Sequence, residues 1–116
     1  MKKQSRKSTP KSETSINVVV FDTNQKPRSA DISGDELSRL QRIVGGFIEM
    51  ATFNEYTLIF DEEGLLKGLP RNPHFPQLVG PVIVTKTRRG KCVTLTDAEC
   101  RNVQKQFRPG TVSFML

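Results

Sequence analysis

The chain has 116 residues, no tryptophan and a formal net charge of +6, with 35% hydrophobic and 26% charged residues. This size and composition predict one folded domain with a modest aliphatic and phenylalanine core, without the metals or disulfides that much smaller domains need. They exclude a disulfide-rich scaffold, because the chain has 2 cysteines, and a helical membrane protein, because no apolar run approaches about 20 residues.

Residues 1–14 form a polar and basic segment. Five lysines and arginines stand there against one glutamate, so this segment carries +4 of the total charge of +6. It has too few apolar groups to offset the entropy lost on ordering, which predicts a disordered basic tail. Residues 15–116 are predicted to form the single domain. No apolar stretch of a signal peptide follows the basic start, so we expect a cytoplasmic protein.

Two strands and a helix are predicted to open the domain. A β-branched run over residues 15–22 predicts a buried strand, and residues 28–32 are expected to return as a short edge strand. Ser33 or Gly34 is predicted to cap a helix that runs to residue 44. Carboxylates in its first turn and apolar residues at helical spacing support this interpretation.

A glycine pair, Gly45 and Gly46, follows this helix. The first glycine is predicted to take the left-handed conformation of a C-terminal cap. Residues 47–53 and 56–60 then predict two strands of a hairpin, joined by the two-residue turn Asn54–Glu55.

The segment from Leu65 to Leu78 is the least regular part of the sequence. Its three prolines exclude a regular helix or a central strand, while its leucines and Phe75 are too apolar for a free loop. We therefore expect an irregular connection that packs on the core.

The last third of the chain predicts a hairpin and a second helix. Residues 81–95 are expected to form two strands around a basic turn at 88–91, and Thr96 with Glu99 has the spacing of a capping box. The apolar residues 112–116 predict a terminal strand or a contact between chains, such as a homodimer. Together these elements predict the α+β class, with a small, mostly antiparallel sheet and two helices packed on it.

The candidate ligand-binding or partner-binding residues surround the two turns that follow the first helix and the first hairpin. They are Gly45, Gly46, Glu49, Arg71 and Asn72. The glycine pair lies at a helix C-terminus, which is the wrong polarity for a phosphate site. Asn72 stands between Pro70 and Pro73, which predicts either a bracket for loop carbonyls or a group that reads a ligand.

Catalytic and metal sites find little support in the sequence. His74 is the single histidine, Cys92 and Cys100 lack metal-ligand spacing, and the acidic run at residues 61–63 is typical of a solvated turn. An enzyme built on Glu49, Asp61 and His74 requires these three side chains to converge in space. We expect no catalytic residues, no metal and no cofactor.

Charge is distributed unevenly along the domain. Residues 29–66 carry −6 and residues 81–116 carry +5. Lys86, Arg88, Arg89 and Lys91 crowd one turn, so the alternative to a host-protein or small-ligand site is non-specific nucleic-acid binding through this turn and the tail. No aromatic residues alternate with these cations, so base stacking is not predicted.

Several motifs occur in an ordered succession. They are LQRIVGGFIE over residues 40–49, DEEG over 61–64, GLPRN over 68–72, GPVIV over 80–84 and LTD over 95–97. In this succession the chain resembles the family called domain of unknown function 3846, over roughly residues 16 to 107. The resemblance implies a small protein of a phage, plasmid or other bacterial mobile element, acting in the host cytoplasm. Such an origin suggests a non-enzymatic accessory protein that binds a host protein or a small anionic ligand, for example as a modulator of host defence.

Overall fold

The structure, a computed structural model, describes residues 15–33 and 36–109. Within these residues the chain forms the strands β1 (Ile16–Phe21), β2 (Arg28–Ile32), β3 (Ile48–Phe53), β4 (Tyr56–Asp61), β5 (Arg71–Asn72), β6 (Phe75–Val79), β7 (Val82–Arg88) and β8 (Lys91–Val93). The helices are α1 (Glu36–Val44), α2 (Gly64–Lys67) and α3 (Asp97–Gln106).

The main sheet has the strand order β2-β1-β7-β4-β3, with β8 paired to the last residues of β7. Its described pairings are all antiparallel. β5 and β6 form a separate two-stranded ribbon. The predicted α+β class, with helices on a mostly antiparallel sheet, is confirmed, and the short helix α2 adds to the two that were predicted.

The middle strands of the sheet are buried on both faces, which explains their unbroken apolar sequence. Residues 18–21 of β1 and residues 82–84 of β7 are fully buried. The hairpin of β3 and β4 has the predicted two-residue turn, because Phe53 pairs with Tyr56 across it. A core strand with both faces covered cannot show the alternation of a half-exposed strand.

Two cores lie on opposite faces of the sheet. Leu40 and Val44 of α1 pack on one face with side chains such as Ile83. Val103 of α3 and Phe107 pack on the other face with the ribbon. The helices therefore present their polar sides on opposite sides of the molecule.

The capping box that the sequence predicted for α3 is present. Thr96 Oγ1 accepts a hydrogen bond from the Glu99 amide at 3.1 Å, and Glu99 Oε1 accepts one from the Thr96 amide at 2.9 Å. Each bond satisfies an amide that the helix itself leaves without an acceptor. The predicted cap of α1 falls partly on Gly34, which lies outside the described residues.

The prediction of an irregular connection between Leu65 and Leu78 is wrong. This segment contains α2 and the ribbon of β5 and β6, with Pro73 and His74 forming the turn between the strands. Proline is tolerated because a two-stranded ribbon has two open edges, where a missing N–H breaks no ladder. Phe75 and Leu78 are buried as expected, but Leu65 and Leu66 are exposed.

Two expectations fall on residues outside the described part of the chain, the disordered tail at 1–14 and the apolar C-terminal contact at 112–116. Cys92 and Cys100 are buried free thiols. None of the described helices has the length and apolarity needed to cross a bilayer.

Candidate functional site

The glycine pair ends α1 as the sequence predicted. Gly45 has φ +93°, and the amides of Gly45 and Gly46 both donate to the Gln41 carbonyl, at 2.8 and 3.1 Å. A positive φ is costly for residues that have a Cβ, so glycine suits this position. The pair therefore acts first as a helix stop, which turns the chain toward β3.

Gly46 also makes room for an ion pair. The buried carboxylate of Asp61 accepts from Lys67 Nζ at 2.7 Å and from the Glu63 amide at 2.8 Å. Lys67 Nζ also donates to the Gly45 carbonyl at 3.0 Å. A Cβ on Gly46 would lie 2.5 Å from Lys67 Nζ and 3.0 Å from Asp61 Oδ2. The missing side chain at Gly46 thus lets the ion pair close against the turn.

The pKa of Asp61 reflects two opposing effects. Burial raises the pKa of this carboxyl, while the hydrogen bonds from Lys67 and from the Glu63 amide, together with the Lys67 charge, lower it. The net result is a pKa below the usual value of 3.8. The residue that sequence reasoning missed here is Lys67, whose partner lies six positions away across a turn.

Asn72 is a structural bracket in this structure. Its side chain is fully buried, and Nδ2 donates to the carbonyls of Phe21 and Gly80, both at 2.9 Å. Oδ1 accepts from the His74 amide at 2.9 Å. The sequence left two interpretations open, a bracket for loop carbonyls or a group that reads a ligand. These hydrogen bonds fit the first of them.

The five candidate binding residues do not converge on one pocket. One end of the sheet contains the last residues of β1 and β4 and the first residues of β7 and β3. The ribbon lies next to this end, because Asn72 is hydrogen-bonded to the Phe21 and Gly80 carbonyls. The five residues therefore share this end of the sheet. Glu49 is exposed on β3, whereas Arg71 is exposed on β5 and its guanidinium donates to the Pro76 carbonyl. Only Glu49 among the five lines the cleft at this end.

This cleft has a volume of about 110 Å³. Glu49, Phe60, Glu62 and Leu65 are among its lining residues, and Leu78 lines it from the ribbon. Asp61 also lines it, so Glu49 and Asp61 lie near one another at the open end of the hairpin. His74 does not line it: this residue is buried, and its Nδ1 lies 2.7 Å from the Phe107 carbonyl. The convergence that an enzyme built on these three residues needs is therefore absent from the cleft.

Large apolar side chains in the segments that border the cleft are exposed to solvent. Leu65 and Leu66 of α2 are 81% and 88% exposed, and Phe47 before β3 is 64% exposed. The Phe47 carbonyl accepts from the Glu62 amide at 2.9 Å, which joins the two segments. We call this patch, formed by Phe47, Glu49, Glu62, Leu65 and Leu66, the α2 surface. The Leu65–Leu66 pair was visible in the sequence, but its apolar character led to the expectation that it packs on the core.

The basic turn of the alternative site is exposed, except for one of its four cations. Arg88, Arg89 and Lys91 are exposed, whereas Lys86 forms a short hydrogen bond with the Glu99 carboxylate of α3. This bond raises the pKa of Lys86 and is the largest cause of the lowered pKa of Glu99. Lys86 is therefore engaged in an ion pair within the folded protein.

Comparison with known proteins identifies one family. The model of the family described as Domain of unknown function (DUF3846) matches residues 16–108, which covers all the strands and helices described above. No curated protein and no solved structure matches the chain.

Proposed function

The chain belongs to the DUF3846 family, and because that family is described only as having unknown function, we propose from the geometry that this protein is a non-enzymatic binding module. Its partner is a protein, and its contact region is the α2 surface. This binding role is the one expected from the sequence. The site is placed on the side chains around Glu49, because Asn72 is buried and cannot contact a partner.

The exposure of Leu65 and Leu66 carries this proposal. Both lie on a helix of 4 residues, with relative exposures of 81% and 88%. The helix is held to the domain by other groups, since Gly64 is buried and Lys67 binds Asp61. The two leucines therefore contribute little to folding, and clustered apolar exposure of this kind is typical of a protein-binding surface.

Charge indicates the chemistry of the partner. Glu49, Glu62 and Glu63 are exposed around the leucines, and Asp61 is already neutralised by Lys67. A fitting partner has apolar side chains to cover the leucines and basic side chains at the rim. A small anionic ligand fits less well, because these carboxylates repel it and the Arg71 guanidinium is engaged by the Pro76 carbonyl.

The unpaired edge of β3 can also form main-chain hydrogen bonds with this partner. Among the described residues, β3 pairs only with β4. In the antiparallel register Phe53, Ala51 and Glu49 face β4 with their backbone groups, so those of Met50 and Thr52 point outward. An extended segment of the partner can add to this edge as a strand.

The biological setting is part of the proposal. The resemblance of the motifs implies an accessory protein of a phage or other mobile element, acting in the cytoplasm of a bacterial host. The partner is then a host protein, and modulation of host defence is one consequence of binding it.

The test is affinity capture from bacterial lysate with three matched baits. They are the full chain, the double variant Leu65→Ser/Leu66→Ser, and the control variant Leu37→Ser, which changes a leucine that is 52% exposed on α1. A protein retained by the wild type and the control but lost from the double variant supports the proposal. Equal retention by all three baits, or no retained protein, counts against it.

Light scattering after size-exclusion chromatography separates a second copy of the chain from a host partner. A concentration-dependent dimer that disappears in Leu65→Ser/Leu66→Ser would make the α2 surface a homodimer interface. A monomer at all concentrations leaves the surface free for a different protein.

A further inference from the structure

The imidazole of His74 has one ring nitrogen that is hydrogen-bonded and one that is not. His74 lies in the turn between β5 and β6 and is only 6% exposed. Its Nδ1 lies 2.7 Å from the Phe107 carbonyl, and Nδ1 is the donor because a carbonyl oxygen only accepts. Nε2 has no hydrogen-bond partner among residues 15–33 and 36–109. Buried polar atoms are nearly always hydrogen-bonded, so Nε2 is available to a bound molecule.

Several contacts hold the His74 ring in one orientation. The His74 amide donates to Asn72 Oδ1 at 2.9 Å, and the ring centroid lies 4.9 Å from that of Phe21. Phe107, whose carbonyl accepts from Nδ1, is the C-terminal cap of α3. The bond to Phe107 keeps a hydrogen on Nδ1, so Nε2 of the neutral ring presents a lone pair. The ring can therefore accept a hydrogen bond from a ligand hydroxyl.

His74 lines a depression where three segments that are distant in sequence meet. They are the loop between β1 and β2, the turn between β5 and β6, and the residues that follow α3. The depression has a volume of about 470 Å³, and small-molecule sites typically have volumes of about 300–1,000 Å³. It shares no lining residue with the cleft beside the α2 surface. Its lining residues are Thr23, Asn24, Gln25, Lys26, Pro27, Pro73, His74 and Pro109.

The charges around the depression favour an anion. Lys26 lines it and no carboxylate does. Lys26 is exposed and forms no ion pair within the described part of the chain. Asp22, the acid next to this loop in the sequence, is paired with Arg28 at 3.2 Å. The side chains of residues 23–25 add a hydroxyl and two amides, which donate hydrogen bonds without adding charge.

Three prolines give the depression a stiff apolar frame. Pro27, Pro73 and Pro109 each belong to a different one of the three segments. The pyrrolidine ring fixes φ, so the backbone at these positions has little freedom to lose when a ligand binds. The three rings also offer apolar surface to the carbon skeleton of a ligand.

We propose that this depression, which we call the His74 site, binds a small phosphomonoester that also carries hydroxyl groups. The phosphate has three acceptor oxygens for the Lys26 ammonium and the donors of residues 23–25. A hydroxyl of the same ligand donates to His74 Nε2, and the prolines contact its carbon atoms. Sugar phosphates and nucleotides share this chemistry, so the test includes one of each. This site is additional to the protein-binding α2 surface and does not depend on it.

The histidine itself is the reporter for the test, because the full chain contains 1 histidine and its ring signals need no assignment. Proton–nitrogen correlation spectra of the untagged protein are recorded during titration with ribose-5-phosphate. The Nε2 signal and the backbone amides of residues 23–26 are expected to shift with one dissociation constant. Inorganic phosphate and ribose, which each lack one of the two groups, are expected to bind about tenfold or more weakly. Tighter binding of adenosine monophosphate than of the sugar phosphate assigns the site to nucleotides, and the reverse order assigns it to sugar phosphates.

Two variants test the two contacts separately. His74→Asn keeps an amide donor near the Nδ1 position for the Phe107 carbonyl but has no atom in place of Nε2, and it is expected to bind the sugar phosphate about tenfold more weakly. Lys26→Gln removes the cation without touching the core, and the same loss is expected. The matched control is Lys91→Gln, an exposed cation that follows the end of β7 remote from the Phe21–Val82 pair. It is expected to bind within about twofold of the wild type, because charges beyond the Debye length are screened.

The proposal is overturned if ribose-5-phosphate shifts neither the His74 ring signals nor the amides of residues 23–26. It is also overturned if His74→Asn and Lys26→Gln, both folded, bind as tightly as the wild type. Equal affinity for inorganic phosphate and the sugar phosphate shows an adventitious anion only and removes the hydroxyl contact to Nε2. Failure of the capture experiment on the α2 surface does not affect these outcomes, because the two sites have no lining residue in common.

Discussion

Lys67 Nζ lies 2.7 Å from the carboxylate of Asp61, above the backbone of Gly46, where a Cβ would come within 2.5 Å of the same nitrogen. This ion pair joins the last residue of α2 to the last residue of β4, and Lys67 Nζ also donates to the Gly45 carbonyl just after α1. Gly46 does not have a positive φ, so a side chain at this position is disfavoured by the space that the ion pair occupies and not by the backbone conformation.

Gly46→Ala is therefore expected to destabilise the protein by about 1–3 kcal/mol. The new methyl group displaces the flexible end of Lys67 and leaves Asp61 buried without its cation. Urea unfolding measures the change in the free energy of unfolding. In a Lys67→Met background the same substitution is expected to cost less, and equal costs in both backgrounds would contradict this account.

The lowered pKa of Asp61 predicts a dependence of stability on pH. A carboxyl whose pKa is lower in the folded state stabilises the fold fully above its unfolded pKa, near 3.8, and loses that contribution as the pH falls through the folded value. Urea unfolding at a series of pH values between neutral and acidic measures it. Asp61→Asn is expected to show a shallower loss of stability in acid than the wild type, and parallel profiles would show that another carboxyl is responsible.

Asn72→Asp is expected to destabilise the protein by about 3 kcal/mol or more. A carboxylate there would face the carbonyls of Phe21 and Gly80, which now accept from Nδ2. Thermal unfolding monitored by circular dichroism measures the effect. The neighbouring exposed change Arg71→Ala is the control, expected to cost about 1 kcal/mol or less, and similar melting temperatures for both variants would mean that the bracket is dispensable.

Leu65→Ser and Leu66→Ser are expected to change the free energy of unfolding by about 0.5 kcal/mol or less, because both side chains are exposed in the folded protein. Leu78→Ala, at a buried position that also borders the cleft, is expected to cost about 2–5 kcal/mol. Chemical denaturation measures all three variants. A large loss from either serine variant would show that the leucines serve folding and would remove the basis of the α2 surface.

Cys92 is expected to resist alkylation in the folded protein. Burial, with a smaller effect of the nearby Glu36 carboxylate, raises the pKa of this thiol to about 12. At about pH 8 the thiolate is then about one part in 10⁴ of the total. Mass spectrometry after iodoacetamide treatment, with urea-unfolded protein as the control, is expected to show labelling of Cys92 only after unfolding. Rapid labelling of the folded protein would contradict the burial.

Local signals explain which parts of the fold were predictable. The apolar runs of β1 and β7, the turn at Asn54–Glu55 and the capping box of Thr96 each depend on residues within a few positions of one another. The binary pattern and the turn chemistry encode such elements directly. The α+β class follows from their order.

The site was less predictable because its contacts join distant positions. Asn72 is hydrogen-bonded to Phe21, which is 51 positions away, and Asn17 is hydrogen-bonded to Thr94, 77 positions away. The periodicity of apolar residues in the sequence does not reveal hydrogen bonds between such distant positions. The exposure of Leu65 and Leu66 was missed for a related reason, since apolarity alone does not distinguish a buried residue from an exposed one.

The two oxygens of Glu99 have different partners, the Thr96 amide for Oε1 and Lys86 Nζ for Oε2. Because both oxygens belong to one planar group, the cap of α3 and the attachment of the β7–β8 hairpin cannot reorient independently. The β7–β8 hairpin is therefore held in a fixed position against the first turn of α3. One side chain thus couples an end of the sheet to the helix, and the entropy of ordering the Lys86 and Glu99 side chains is lost during folding.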